Sequence, residues 1–192
     1  MKKNTIYAFG FMALTIGGLT ACNSGTPEND SVDSAQKVNE VTQDNTAPAA
    51  STEDADFAVM ATNAGMTEIE ASKLALNTSS NANVKKYAQM IIDEHTAAGS
   101  KLGALATSKN ISVPTVLSTD SQDKINDLGK KTGKDFDKAY IDMMVSDHKD
   151  AVDAFQKENT NTTDGDLKAF TAETIPVLQK HLDDAKAWQS KM

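Results

Sequence analysis

From about Asp54 to the C-terminus, apolar residues return every three or four positions, the period of a helix with one buried face. Four long runs carry it. The first covers about 54–77, with Phe57, Met60, Ala64, Ala71 and Ala75 on one face. The second, about 83–109, sets Val84, Ala88, Ile91, Ala98, Leu102 and Leu105 in a seam of alternating fours and threes. The third, about 134–158, aligns Ile141, Met144, Ala151 and Phe155. The fourth is opened by Asp164 as a cap and aligns Leu167, Phe170, Val177, Ala185 and Trp188. Pro176 lies inside this last run, where a missing backbone donor predicts a bend. No stretch shows the period of two that a half-buried strand requires. The pattern predicts an all-α four-helix bundle over residues 54–192.

The connection between the second and third runs, Asn110 to Gly133, is far longer than the roughly 2–8 residues an up-and-down hairpin needs. It holds Pro114 and a short helix capped by Ser118 or Thr119. A connection of this length carries the chain back along the bundle, so the second and third helices are expected to run parallel, as in ferritin-like bundles.

The chain ahead of the bundle has a different character. Lys2 and Lys3 precede an apolar stretch from Ile6 to Leu19, too short for a spanning helix at about 20 residues. "LTAC" follows, Leu19 to Cys22. A basic end, a short apolar core and a small residue before the cut describe a secretory signal over 1–21. The motif also matches the bacterial lipobox, in which Cys22 receives the lipid and becomes the first residue of the mature chain. The expectation is a protein held to the membrane through lipid on Cys22, in the bacterial cell envelope and on the outer membrane. Residues 22–53 are rich in Ser, Thr, Asn, Asp, Glu and Ala and carry no aromatic residue. That composition predicts a flexible tether, spanning on the order of 30 Å.

Cys22 is the only cysteine, which excludes an internal disulfide and a thiolate metal cluster. The formal charge is −8, and removing the leader takes away two lysines and no acid, leaving −10. Every basic residue is lysine. Guanine and phosphate recognition favours arginine, so no nucleic-acid partner is expected.

"YAQMIIDEHTAA" (87–98) returns almost unchanged as "YIDMMVSDHKDA" (140–151). Tyr87, Met90, His95 and Ala98 recur at the same spacing as Tyr140, Met143, His148 and Ala151. The three histidines of the chain, His95, His148 and His181, fall one each on the second, third and fourth runs, all on the apolar seam. At ~1.5 Å per residue, the crossover topology puts them and Glu68 within roughly 6 Å of one level. Glu68 points to the core face of the first helix, whereas Glu70 points away from it. Three imidazoles and Glu68 are the ligand set for one transition metal, with iron, zinc or copper all suited to imidazole. Glu94, Asp147 and Asp93, with Glu70, Tyr87 and Tyr140, are candidates to hold the rings from outside, because a ligating imidazole usually gives its other N–H to an acceptor. The alternative is a metal-free polar layer that fixes helix register. Met90, Met143 and Met144 lie four or five residues before a histidine, a spacing that suits core packing better than thioether ligation.

The stretches "GMTEIEASKLAL…VKKYAQMIIDEHTAA", "FDKAYIDMMVSDHKDAV" and "LKAFTAETIPVLQKHLDDAKAW" resemble the bacterial domain-of-unknown-function family 4142 over about residues 54–190. The resemblance implies a ferritin-like fold and an envelope location, and His95, His148, His181 and Glu68 or Glu70 match its pattern. It implies no activity. Di-iron bundles of this shape use Glu-x-x-His, but Ile92, Val145 and Leu178 stand three before the histidines here. A single metal therefore fits the residues better than a carboxylate-bridged pair. With no Gly-x-Ser-x-Gly or His-Glu-x-x-His motif, hydrolysis has no support. Two readings follow: an envelope protein whose His/Glu layer binds a metal for metal handling or oxidant protection, or a metal-free envelope module for stress or partner binding.

Overall fold

The computed structural model describes residues 30–45 and 50–192, and the leader 1–21 and Cys22 lie outside them. Six helices follow one another: α1 (Ser31–Asn45), α2 (Thr52–Thr78), α3 (Ala82–Ser108), α4 (Thr119–Gly129), α5 (Gly133–Asn161) and α6 (Gly165–Gln189). There is no strand among the described residues. Helix starts fall where local chemistry satisfies free backbone donors. Ser51 and Asp54 form a reciprocal capping box at α2, the Ser51 oxygen accepting from the Asp54 N–H at 3.0 Å. Ser118 caps α4, and Asp164 accepts from the N–H groups of Asp166 and Leu167 to open α6. Gly133 begins α5 at φ +57°, a conformation open to glycine at little cost. Pro176 sits inside α6, which continues through it.

Contacts between helices fix their directions. Ser72 meets Tyr140 hydroxyl to hydroxyl at 2.8 Å, and the rings of Phe57 and Phe155 lie 4.9 Å apart, so α2 and α5 are antiparallel. Lys101–Glu173 and Lys109–Asp164 make α3 and α6 antiparallel. The rings of Tyr87 and Tyr140, and of His95 and His148, face each other in the same chain order, so α3 and α5 run parallel. This is the ferritin-like crossover. α4 lies over α2 and α5, tied by Thr67–Ser121 at 2.8 Å and Lys124–Asp147 at 2.8 Å. The duplicated phrase has a geometric meaning: its two copies lie on the parallel pair, across the bundle from one another, and present matching residues to the same interior.

Two apolar clusters fill the bundle. One gathers Tyr87, Ile91, Phe136, Tyr140, Ile141 and Met144; the other holds Leu102, Val152, Phe155, Leu167, Phe170 and Leu178. The histidine level separates them.

Two features of the fold differ from the sequence expectation. Residues 22–53, expected to be a flexible tether, contain α1, which packs on α2 with Ala35 and Asn39 buried. Hydrogen bonds supply what its apolar surface lacks. Asn39 accepts from the Ser112 N–H at 2.7 Å and donates to the Ser112 carbonyl at 2.9 Å, while Asp30 accepts from the Thr119 N–H at 2.6 Å. The seam also differs locally. Met60 and Val177 are 53% and 36% exposed and Ala64 is exposed, whereas Thr67 and Leu178 are buried. Between about 60 and 66, α2 runs beside a cavity rather than against a packed neighbour.

Candidate metal centre

His95 (α3), His148 (α5) and His181 (α6) meet at one level, and each offers a nitrogen within 4.8 Å of the others. His148 Nε2 lies 3.2 Å from His181 Nδ1, and His95 Nε2 lies 3.4 Å from the same atom. His148 and His181 are 0% and 1% exposed. The outer ring nitrogens all face acceptors. His95 Nδ1 donates to Glu68 Oε2 at 3.0 Å, His148 Nδ1 to the Met144 carbonyl at 3.0 Å, and His181 Nε2 to Glu94 Oε2 at 2.8 Å. Those partners set the tautomers. With the outer nitrogens protonated, the inner three are bare lone pairs pointing into one small space.

Burial disfavours charge on two of the three rings, His148 and His181. Burial pushes His181 down to about 4, with Glu94 opposing and the neighbouring imidazoles reinforcing. Burial likewise lowers His148 against the pull of Glu68. For Glu68, burial acts to raise the carboxyl, but His148 and His95 outweigh it and hold the group below the usual carboxylate range.

Glu68 belongs to this level, but on the far side of the rings from the convergence. Its two oxygens address His95 Nδ1 and, at 3.5 Å, His148 Nδ1. The sequence expectation of Glu68 as a direct ligand is corrected: the carboxylate holds two rings from behind, because the helix geometry that brings it to the core face also brings it to their outer edges. Glu94 holds the third ring from outside. Asp147 is bound by Lys124 rather than by an imidazole, and its partial burial raises its carboxyl. Asp93 accepts from Gln89 on the surface, and Glu70 pairs with Lys73. The Tyr87 hydroxyl donates to the His181 carbonyl at 3.1 Å and so braces the backbone of α6, while the Tyr140 hydroxyl pairs with that of Ser72 and ties α5 to α2. Burial raises both phenols. Met144 packs in the apolar cluster, and Met90 places its sulfur 3.9 Å from Lys180 Nζ.

Sequence reasoning missed the Met144 carbonyl, which no side-chain pattern announces. It also missed a cavity of about 670 Å³ beside the histidines, lined at one end by Glu68, Glu94, His95 and His181. A signal for it was present, in Ala61, Gly65, Ala98 and Gly99 at positions where a packed bundle would hold larger residues.

The family model described as "Domain of unknown function (DUF4142)" matches residues 39–188. Among solved structures, a DUF305 fragment from Deinococcus radiodurans superposes with a TM-score of 0.68 at 10% identity, over 76% of this chain and 100% of that one. CopM in its Cu(I)-bound form gives 0.62 at 18% identity, over 72% of this chain and 96% of that one. The Ag-bound form of CopM gives 0.59 at 21% identity, with the same coverage. At such identities the likeness is one of fold. No curated protein matches the chain.

Proposed function

The chain belongs to the DUF4142 family, and on the geometry of its histidines we propose that it is a metal-binding protein holding one transition-metal ion on His95, His148 and His181. One observation carries the reading. Three imidazoles turn their inner nitrogens toward one another, at 3.2 and 3.4 Å for the two pairs with His181, while every outer nitrogen is held by an acceptor. Facing lone pairs repel unless a cation lies between them. Tetrahedral coordination at ~2.0–2.1 Å separates neighbouring ligands by about 3.3–3.4 Å, which matches this spacing.

The donor set favours copper or zinc over iron. Non-haem iron sites of the open kind take two imidazoles and a carboxylate, and here the carboxylate of Glu68 is engaged with the outer nitrogens. The likeness in fold to a protein solved in Cu(I)-, Cu(II)- and Ag-bound forms makes copper the first ion to test. When bound, the ion would bring an open coordination position for metal handling or reaction with oxidants. The protein's own groups do the rest: Glu68, Glu94 and the Met144 carbonyl fix the rings, and the apolar clusters pack above and below them. The metal-free alternative needs a proton among the inner nitrogens, and the lowered His148 and His181 oppose that proton.

Metal content by mass spectrometry, on protein free of any histidine tag and loaded with Cu, Zn or Fe, tests the proposal. One ion per chain is expected, lost in a His95→Ala/His148→Ala variant that retains its helicity. No retained metal under any loading would make the layer structural and move the search for function to the surface.

From the leader and lipobox of the sequence we further propose an envelope location, with the protein anchored by lipid on Cys22 and resident at the outer membrane. No described helix is long and apolar enough to cross a membrane. Labelled palmitate is expected to enter the unaltered protein and not Cys22→Ala. Equal labelling of both would remove the anchor.

A further inference from the structure

The cavity of about 670 Å³ beside the histidines is of the size that small-molecule sites occupy, roughly 300–1,000 Å³. It is not a packing accident of one side chain. Ala61, Ala64 and Gly65 on α2, Gly99 on α3 and Ala154 on α5 all line it, and a Cβ placed on Gly65 or Gly99 meets no atom within 4 Å. The space opens to solvent along the exposed Ala64, Gly99 and Ala154 and runs inward to the buried His95 and His181. Three separate helices have left it open.

Its two ends differ. Phe57, Leu102, Phe155, Phe170 and Leu178 give apolar and aromatic walls at one end. At the other stand His95, His181, Glu68 and Glu94, with Asp147 and Asp150 on the way to solvent. These groups offer acceptors and negative charge. The one lysine in the lining, Lys124, is already paired with Asp147 at 2.8 Å. An occupant must therefore be apolar over most of its length and carry donors, with positive charge, at its head. A carboxylate or phosphate head would meet four acids.

We propose that this chamber binds a small apolar primary amine, its alkyl or aryl body against the phenylalanine wall and its ammonium head toward the carboxylates of Glu68 and Glu94. An ammonium has three N–H donors and no acceptor, which matches an end that lacks free donors. The site does not depend on a bound metal, because the walls and the charge belong to the chain itself.

Titration calorimetry with octylamine on the chelator-treated, full-length chain at neutral pH tests this, with octanol and octanoate as matched controls. Octylamine is expected to bind one per chain, at least tenfold tighter than either control. Gly65→Leu, whose added first carbon meets no atom within 4 Å, is expected to weaken it at least tenfold, and Ala151→Leu narrows the chamber from α5 should the first variant fail to fold. Equal binding of octanol or octanoate would overturn the amine, and unchanged affinity in a folded filled variant would overturn the chamber. Metal content, read on a portion of the same preparation reloaded with Cu, Zn or Fe, separates the two proposals. Amine binding without metal retention ends the metal reading alone, and metal retention without amine binding ends this one.

Discussion

Glu68 is the residue on which the centre turns. It is 2% exposed and its oxygens face two imidazole N–H groups, so a neutral amide in its place would set an NH₂ against a donor. Glu68→Gln is expected to weaken metal affinity about 10–100-fold, the usual cost of losing an orienting partner, while the three nitrogens remain; competition against a chromophoric chelator measures it. The imidazoles also impose a pH dependence. His181 is held at about 4 in the fold against 6.5 in the open chain, so the unfolded chain binds more protons between those values and stability rises with pH across that window. Glu158, 7% exposed with Asp54 beside it, works the other way: burial first and Asp54 second raise its carboxyl to about 8, so its contribution is lost as pH rises from 4.5. Glu158→Gln is therefore expected to leave a melting temperature that climbs from pH 4 to 6.5 and then levels, where the unaltered chain declines toward pH 8. The histidines themselves were legible in sequence, because a titratable group on an apolar seam stands out. Which side of a ring a carboxylate reaches was not, since a rotation of one helix by a few tens of degrees exchanges the two faces.

At the level of elements, the periodicity of 3.6 located α2, α3, α5 and α6 to within a few residues, and the caps at Asp164 and Ser118 were visible as single letters. The helix α1 was hidden because composition is a poor guide where side-chain hydrogen bonds do the holding. Its two exposed valines, Val38 and Val41, add no burial, and Asn39 does the docking with a paired contact to one backbone unit of the crossover. Asn39→Ala leaves both Ser112 groups without that partner and is expected to cost about 1–3 kcal/mol. Hydrogen exchange over 31–45 is expected to quicken while that of α5 stays as it was; uniform loosening of the whole bundle would contradict a local latch. The length of the crossover foretold its path, since a hairpin has no use for a connection that long.

Across the whole molecule, the groups that converge come from positions 68, 95, 148 and 181, and the last stands eleven residues from the chain end. Every contact among them spans a long stretch of chain, so the centre is a high-contact-order feature of a fold otherwise dominated by local helix bonds. A chain emerging N-terminus first from a ribosome or a membrane pore has two of the four groups early and cannot complete the set until α6 is docked. Partial chains have no place to hold an ion. On the proposed metal reading, loading comes after folding, and an ion once seated would link α3, α5 and α6 as a clasp, slowing the unfolding of a bundle whose last helix must arrive before the clasp can close.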